Sequence, residues 1–513
     1  MPAVITLGIL LVTLVALGGL RVVRPRSTYT WAIAVTGAFL AWASVFFWQL
    51  SLPTLLPVAS WTPATLFPVS PALKMDAVAW LYALSLTGLA LAVILTSPVR
   101  LTGISPVAWL GTLVLTALGI LAFLADNPLT LVMIWTAIDL VEFWNALRVA
   151  ANAEMSERVV VAFSLRALGT GFALWASVTS AAVGTTFLFE TLRPQSGIFL
   201  LLAAGLRLGV LPLHLAYQAE PVVRRGLGTV LRLTAVASSL VLLARLPQNA
   251  FTGSWPLALQ TFVLLTAVYA GWKWLTGADA LSARPYWLIG MSALALAAAL
   301  RNNPLGAAAW GVALILVGGA TFLYSARAPW LTRVLTLVAL AALGLPFTLT
   351  ATGWQGALPW FLWPLAILAQ MLLLAGVARH LLSPGESPWS DLPQGLRAAY
   401  LAGLAIFPLL AVLIGLWGWA GALQLGVWGA GLMALVSSLA LLGFFRRFSE
   451  FSLPVTRLSG LTHGQETLMA GLGSLYRTLR AVTEFISGLL EGDGGLLWTL
   501  FLLVLFILIF QGR

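Results

Sequence analysis

The 513-residue chain has no cysteine, three histidines and only two lysines, and charged residues make up 8% of it. Each shortage excludes something. Without cysteine there is no disulfide-stapled secreted domain, no thiol nucleophile and no thiolate-held cluster. His214, His380 and His463 stand far apart and show no metal-ligand spacing. P-loop and dinucleotide fingerprints are also missing, so the sequence implies neither a metal nor a cofactor. A soluble protein covers its surface with about 25% charged residues. A soluble enzyme and a disordered chain are both ruled out.

What fills the chain is apolar: 60% hydrophobic residues, with 23 Trp and 25 Phe. A helix crossing a ~30 Å hydrocarbon layer needs about 20 residues. Sixteen apolar stretches run from 3–20 and 29–50 through to 421–445 and 493–511. Pro, Gly and charge separate them, as at Arg24-Pro25-Arg26, Asp126-Asn127-Pro128 and Asn302-Asn303-Pro304. The expected fold is an all-α polytopic membrane protein of about 16 transmembrane helices. The first stretch follows Pro2, lacks a basic leader and a small-residue cleavage site, and reads as a retained span. The many Trp read as interfacial belts and packing.

A net charge of +11 could point to nucleic acid, but membrane topology gives a simpler cause. Loops after odd-numbered stretches carry Arg21, Arg24 and Arg26, then Arg100, Arg148 with Arg158, and Arg224 with Arg225. Arg284, Arg327, Arg379, Arg446 and Arg447 continue the series, whereas the even-numbered loops offer Lys74, Arg193, Arg245 and Arg301 singly. This bias puts both termini outside a bacterial or archaeal plasma membrane. No nucleic-acid partner is expected.

Two segments depart from the span pattern. Residues 50–73 are rich in Pro, Ser and Thr and read as an outer-face loop at the interface. Residues 461–490 place Leu468, Leu472, Leu475, Leu479, Val482, Ile486 and Leu489 at spacings of four and three. That is one apolar stripe on a helix, suited to lie along a lipid or protein surface.

Charge at bilayer depth is costly, so each such residue is a candidate. Asp139 and Glu142 lie three apart in the fifth stretch, on one helical face. Arg166, Arg207 and Arg232 lie in the sixth, seventh and eighth, and His214 and Glu220 sit around Pro212 and Pro221, which should break the seventh helix. Two readings stand side by side: Arg–carboxylate pairs that only hold helices together, or a polar pathway across the membrane or its remnant. Later the chain is nearly bare, since Val334 to Ala378 contains no ionisable residue.

The run Arg-Leu-Gly-Val-Leu-Pro-Leu-His-Leu-Ala-Tyr-Gln-Ala-Glu-Pro at 207–221 resembles the broken helix of antiporter-like subunits of respiratory complex I, Mrp antiporters and membrane-bound hydrogenases. Three further landmarks fall in order. Asn127 to Trp135 looks like the start of the helix carrying that family's Glu. Asp279 to Tyr286 is similar in spacing to its Asp-x-Lys-Arg…Ala-Tyr element. Gly344 to Trp354 looks like the element opening its second broken helix. The resemblance covers about residues 75–382 and implies two inverted five-helix repeats containing broken helices.

This sequence departs from the family pattern at the residues that matter most. The family's Glu falls at Thr136, with Asp139 one turn on as a stand-in, and its seventh-helix Lys is Arg207. Arg232 is the nearest basic residue for the next Lys, residues 305–325 offer no His or Lys, and the late Lys or Glu position reads Trp354. Lys and Glu can exchange protons as their surroundings change; Arg is a permanent charge.

The expected organisation is N-terminal spans and outer-face loop (1–103), a first antiporter-like repeat (104–250), a second, degenerate repeat (251–395), accessory spans (396–460), and a lateral helix with terminal span (461–513). The expected function is a divergent subunit of a proton-pumping NADH:quinone oxidoreductase-like or related hydrogenase complex. It is non-catalytic by itself, with a degenerate proton path and a coupling or structural role. Its partners would be other membrane subunits, the bilayer, and protons or cations. A freestanding cation/proton antiporter is the alternative. A polytopic lipid-linked glycosyltransferase is a distant one, for which the 50–73 loop lacks acidic residues.

Overall fold

The computed structural model describes residues 2–447 except 25–28, 57, 62–69, 100–105, 151, 182–187, 217–224, 248, 252–254, 384–386, 420 and 423–426, together with 470, 471, 474, 478 and 481. Contacts divide the chain into two units: Met1–Val149 with Ala162–Leu453, and Ala150–Val161 with Pro454–Arg513.

The helices are α1 (Pro2–Val23), α2 (Tyr29–Phe46), α3 (Ala77–Thr96), α4 (Pro106–Leu124), α5 (Pro128–Val149), α6 (Ala153–Ala181), α7 (Gly197–Leu208) and α8 (Leu227–Leu243). They continue as α9 (Trp255–Thr276), α10 (Arg284–Ala299), α11 (Pro304–Leu323), α12 (Pro329–Thr336), α13 (Trp363–Leu382), α14 (Gln394–Leu413) and α15 (Trp428–Arg447). Among the described residues, 10 helices are long and apolar enough to cross a membrane, and shorter apolar helices accompany them. The chain is an all-helical integral membrane protein. The stretch 493–511 lies outside the described residues.

Starts and stops follow local chemistry. Asp76 caps α3 by accepting from the Ala79 amide at 2.7 Å, and Asn303 caps α11 by accepting from Gly306 at 2.8 Å. Pro304 at the first turn of α11 costs nothing, because its missing N–H would have had no partner there.

In the first unit, α3, α8 and α11 pack against one another and form the centre of the core. Every residue from Gly228 to Leu243 and from Gly306 to Leu323 is buried. Other helices expose large apolar side chains, including Val12 and Val15 on α1, Trp144 on α5 and Val178 on α6. In water such faces would have to be covered; against lipid tails they need no partner.

Two segments differ from the sequence expectation. Residues 50–73, expected as a loop, begin with a short 3₁₀ turn and contribute Thr54–Leu56 to an antiparallel ladder with Leu73–Met75. Backbone groups near the edge of a membrane need partners, and the ladder supplies them. The stretch 331–352 is not one span: α12 ends at Thr336 and a 3₁₀ turn runs from Leu337 to Ala342. Gly344 and Phe347 then turn the chain with φ of 70° and 63°.

In the second unit, the Asn152 side chain accepts from the Met155 amide at 2.8 Å. Glu154 pairs with Arg158 one turn on, at 2.6 Å. Residues 470, 471, 474, 478 and 481 are helical and exposed. The apolar stripe expected at 461–490 lies on residues outside those described.

Candidate functional site

The site is built on one face of α5, where Trp135, Asp139 and Glu142 follow at i, i+4 and i+7. Thr136 points the other way, is exposed, and donates to its own turn at the Val132 carbonyl, 2.9 Å away. The inward carboxylate is therefore Asp139. Its Oδ2 accepts from Arg207 NH1 at 2.6 Å, and its Oδ1 accepts from Arg207 NH2 at 3.0 Å and Arg166 Nε at 3.2 Å. Glu142 meets Arg232 through Oε1, and Arg166 NH2 stands 3.7 Å from its Oε2. None of these five residues is more than 3% exposed.

Arg207 is fixed from several sides. Its NH1 also donates to Thr170 Oγ1 at 3.1 Å and to the Arg166 carbonyl at 3.3 Å, and its Nε donates to Ser239 Oγ at 3.2 Å. The Trp135 ring centroid lies 4.2 Å from its Cζ, a cation–π contact in a buried site. Gly169 allows α6 to come this close: a Cβ there would stand 2.8 Å from both the Ala203 carbonyl and Arg207 Cγ.

The helix break comes earlier than Pro212. Helix α7 ends at Leu208, and Gly209 takes a left-handed φ of 73°, where a Cβ would lie 2.3 Å from the His214 carbonyl. Breaking a helix at membrane depth strands carbonyls. Arg166 NH1 answers one of them, donating to the Ala216 carbonyl at 2.6 Å. His214 is fully buried, with Nδ1 2.8 Å from the Pro212 carbonyl. Glu220 lies outside the described residues.

The second break, after Ala342, is closed mainly by neutral groups. Thr350 Oγ1 donates to the Ala341 carbonyl and accepts from the Gly344 amide, both at 2.9 Å. Gln370 Nε2 donates to the Ala342 and Leu343 carbonyls at 2.9 Å, while its Oε1 accepts from Trp354 Nε1 at 2.8 Å. Asn303 Nδ2 donates to Thr352 O at 2.7 Å. Trp310 Nε1 and Arg301 NH2 both donate to Gly353 O, at 3.2 and 2.7 Å.

Chemically the first cluster is a set of locked ion pairs. Among the described residues no group of His, Asp or Glu side chains is placed to hold a metal ion. Outside the spans, Asp279 in the α9–α10 loop is pushed up by burial, but hydrogen bonds from Ser282 and Leu281 outweigh this and hold its carboxyl below the ordinary value.

The structure brings Asp139, Glu142, Arg166, Arg207 and Arg232 together. Sequence reasoning missed Trp135, Thr170 and Ser239. The signal was there: Trp135 precedes Asp139 by one turn, Thr170 follows Arg166 by one turn, and Ser239 follows Arg232 by two.

No family model and no curated protein matches the chain. Solved structures do. A chain of the Mrp complex from Dietzia sp. DQ12-45-1b aligns with 100% of this chain at TM-score 0.69 and 18% identity. This chain spans 62% of that Mrp chain. A chain of respiratory complex I from Thermus thermophilus with bound Aureothin aligns with 82% of this chain, over its own full length, at TM-score 0.57 and 22% identity. A chain of the membrane-bound sulfane sulfur reductase, an archaeal respiratory membrane complex, aligns with 98% of this chain over its own full length, at TM-score 0.62 and 15% identity. The fold is the one found in these membrane complexes, in agreement with the antiporter-like resemblance read from the motifs.

Proposed function

We propose that this chain is a divergent antiporter-like subunit of a proton-pumping complex of the NADH:quinone oxidoreductase or hydrogenase type, with a coupling or structural role and no end-to-end proton path. One observation carries the reading: Asp139, Glu142, Arg166, Arg207 and Arg232 of the first repeat are locked in guanidinium–carboxylate pairs, and Val334 to Ala378 has no titratable side chain. Proton transfer needs groups that alternate between protonated and free near working pH. Arg207 cannot cycle. Water could bridge only where polar partners hold it. Charge displaced in a neighbouring subunit could still shift the Asp139, Arg166 and Arg207 pairs and so reach α5, α6 and α7.

The repeat boundaries at 104–250 and 251–395, the outside position of both termini and the bacterial or archaeal plasma membrane belong to the same proposal. Residues 461–513 would dock on a neighbouring subunit. Deleting them should loosen complex assembly, read by co-purification, while the remaining helices still fold; unchanged assembly would count against that role. The second reading is a freestanding cation/proton antiporter.

Proteoliposomes bearing the complex, a pH-sensitive dye and an imposed ion gradient test the main reading. Flux should vanish when the other antiporter-like subunits are removed, and Arg207→Lys alone should not create it. Flux that survives their removal and is abolished by Arg207→Ala or Asp139→Asn would falsify the reading.

A further inference from the structure

We propose that Arg301 is the centre of a phosphate-type oxyanion site at the start of α11. Arg301 lies between the last turn of α10 and the cap residue Asn303 of α11 and is 7% exposed. Its NH2 donates to Gly353 O at 2.7 Å, and its Cζ sits 5.1 Å from the Trp354 ring centroid. Its Nε and NH1 have no hydrogen-bond partner among the described residues. A guanidinium has five N–H groups, and the Nε and NH1 groups account for three of them. Leaving three donors and a positive charge buried without an acceptor is costly. Arg166, Arg207 and Arg232, which are also buried, all have carboxylates.

Neighbouring groups are already committed. Gly353 O takes a second bond from Trp310, and Asn303 Nδ2 is shared between Thr352 O and Gln355 O. The Asn303 Oδ1 is held by the Gly306 amide. The positive end of the α11 dipole adds to the field of the guanidinium, and both favour an anion. Position favours phosphate. Helix α11 has 20 residues, enough to cross a ~30 Å hydrocarbon layer, and Arg301 stands just beyond its first residue. That is headgroup depth. Trp360, 84% exposed on the connection into α13, is the kind of residue that marks this depth.

The phosphate could come from an anionic lipid headgroup or from solution. The full chain is reconstituted in phosphatidylcholine nanodiscs, and thermal unfolding is followed with phosphatidylglycerol added or with inorganic phosphate added. At least one probe should raise Tm saturably in the wild type. Arg301→Gln should weaken the response about tenfold, and Arg301→Lys should retain part of it. Protection by phosphatidylglycerol alone identifies a lipid; protection by inorganic phosphate as well identifies the free anion. A wild type that neither probe protects, or equal responses in wild type and Arg301→Gln, would overturn the proposal. If Arg301→Gln does not fold, a determined structure of the phosphate-loaded wild type decides: an oxyanion at Nε and NH1 supports it, and water alone or a partner subunit's carboxylate refutes it.

Discussion

The two broken helices solve one problem with different chemistry. At the first, a charged network fills the gap, with Arg166 reaching both Asp139 and the stranded Ala216 carbonyl. At the second, Thr350, Gln370 and Asn303 satisfy the carbonyls, and Trp354 stands where the resemblance calls for a charge. Both bring side-chain donors to stranded carbonyls. They differ in what is lost when a member is removed: a buried charge stranded alone costs far more than a buried amide carbonyl.

The largest effect should come from Asp139→Asn, which strips the carboxylate from Arg207 and from Arg166 Nε. A loss of roughly 3–5 kcal/mol in unfolding stability is expected. Its counterpart, Trp354→Phe, unpairs only Gln370 Oε1 and should cost about 1–3 kcal/mol. Thermal unfolding of both variants in one detergent checks the order, and a Trp354→Phe protein less stable than Asp139→Asn would erase the distinction. A finer cut uses Asp139→Leu, Arg207→Leu and the double variant. The double should be less destabilised than the sum of the singles, with a coupling of about 0.5–3 kcal/mol. Additive losses would mean that the pair is geometry without energy.

The smallest effect concerns Asp279, outside both breaks. Its folded-state value lies below the ordinary 3.8 of the unfolded chain, so folding is favoured above that pH. The contribution fades as pH falls from about 3.8 through the folded value. An Asp279→Asn protein should show a flatter acid limb in a stability titration, and an identical limb would remove the Ser282 and Leu281 bonds from the account.

Much of the first site was legible because helical spacing is a strong constraint. A spacing of three between Asp139 and Glu142, and one arginine at bilayer depth on each of the next three helices, left few ways to bury charge except together. The motif order led to the same fold as the solved membrane complexes. The ends of α7 and α12 were misplaced toward Pro212 and Pro346. Proline marks where a helix cannot continue, whereas α7 stops earlier at the left-handed Gly209, and α12 gives way at Thr336 to a 3₁₀ turn that the left-handed Gly344 follows. The ladder at Thr54–Leu56 was hidden because its partner lies across the loop, at Leu73–Met75. The solitude of Arg301 could not be read at all, since whether a loop cation finds a carboxylate depends on contacts far apart in sequence.

Arg166, Arg207 and Arg232 against Asp139 and Glu142 leave a formal charge of plus one on the first cluster. Moving one charge through a whole membrane against 100 mV takes about 2.3 kcal/mol, so even a partial shift of that cluster feels the transmembrane voltage. The segment from Val334 to Ala378 carries no side-chain charge, and a rearrangement of its Thr350 and Gln370 bonds moves none across the field. Voltage would therefore act directly on the charges of the first cluster, and on the segment from Val334 to Ala378 through no side-chain charge of its own.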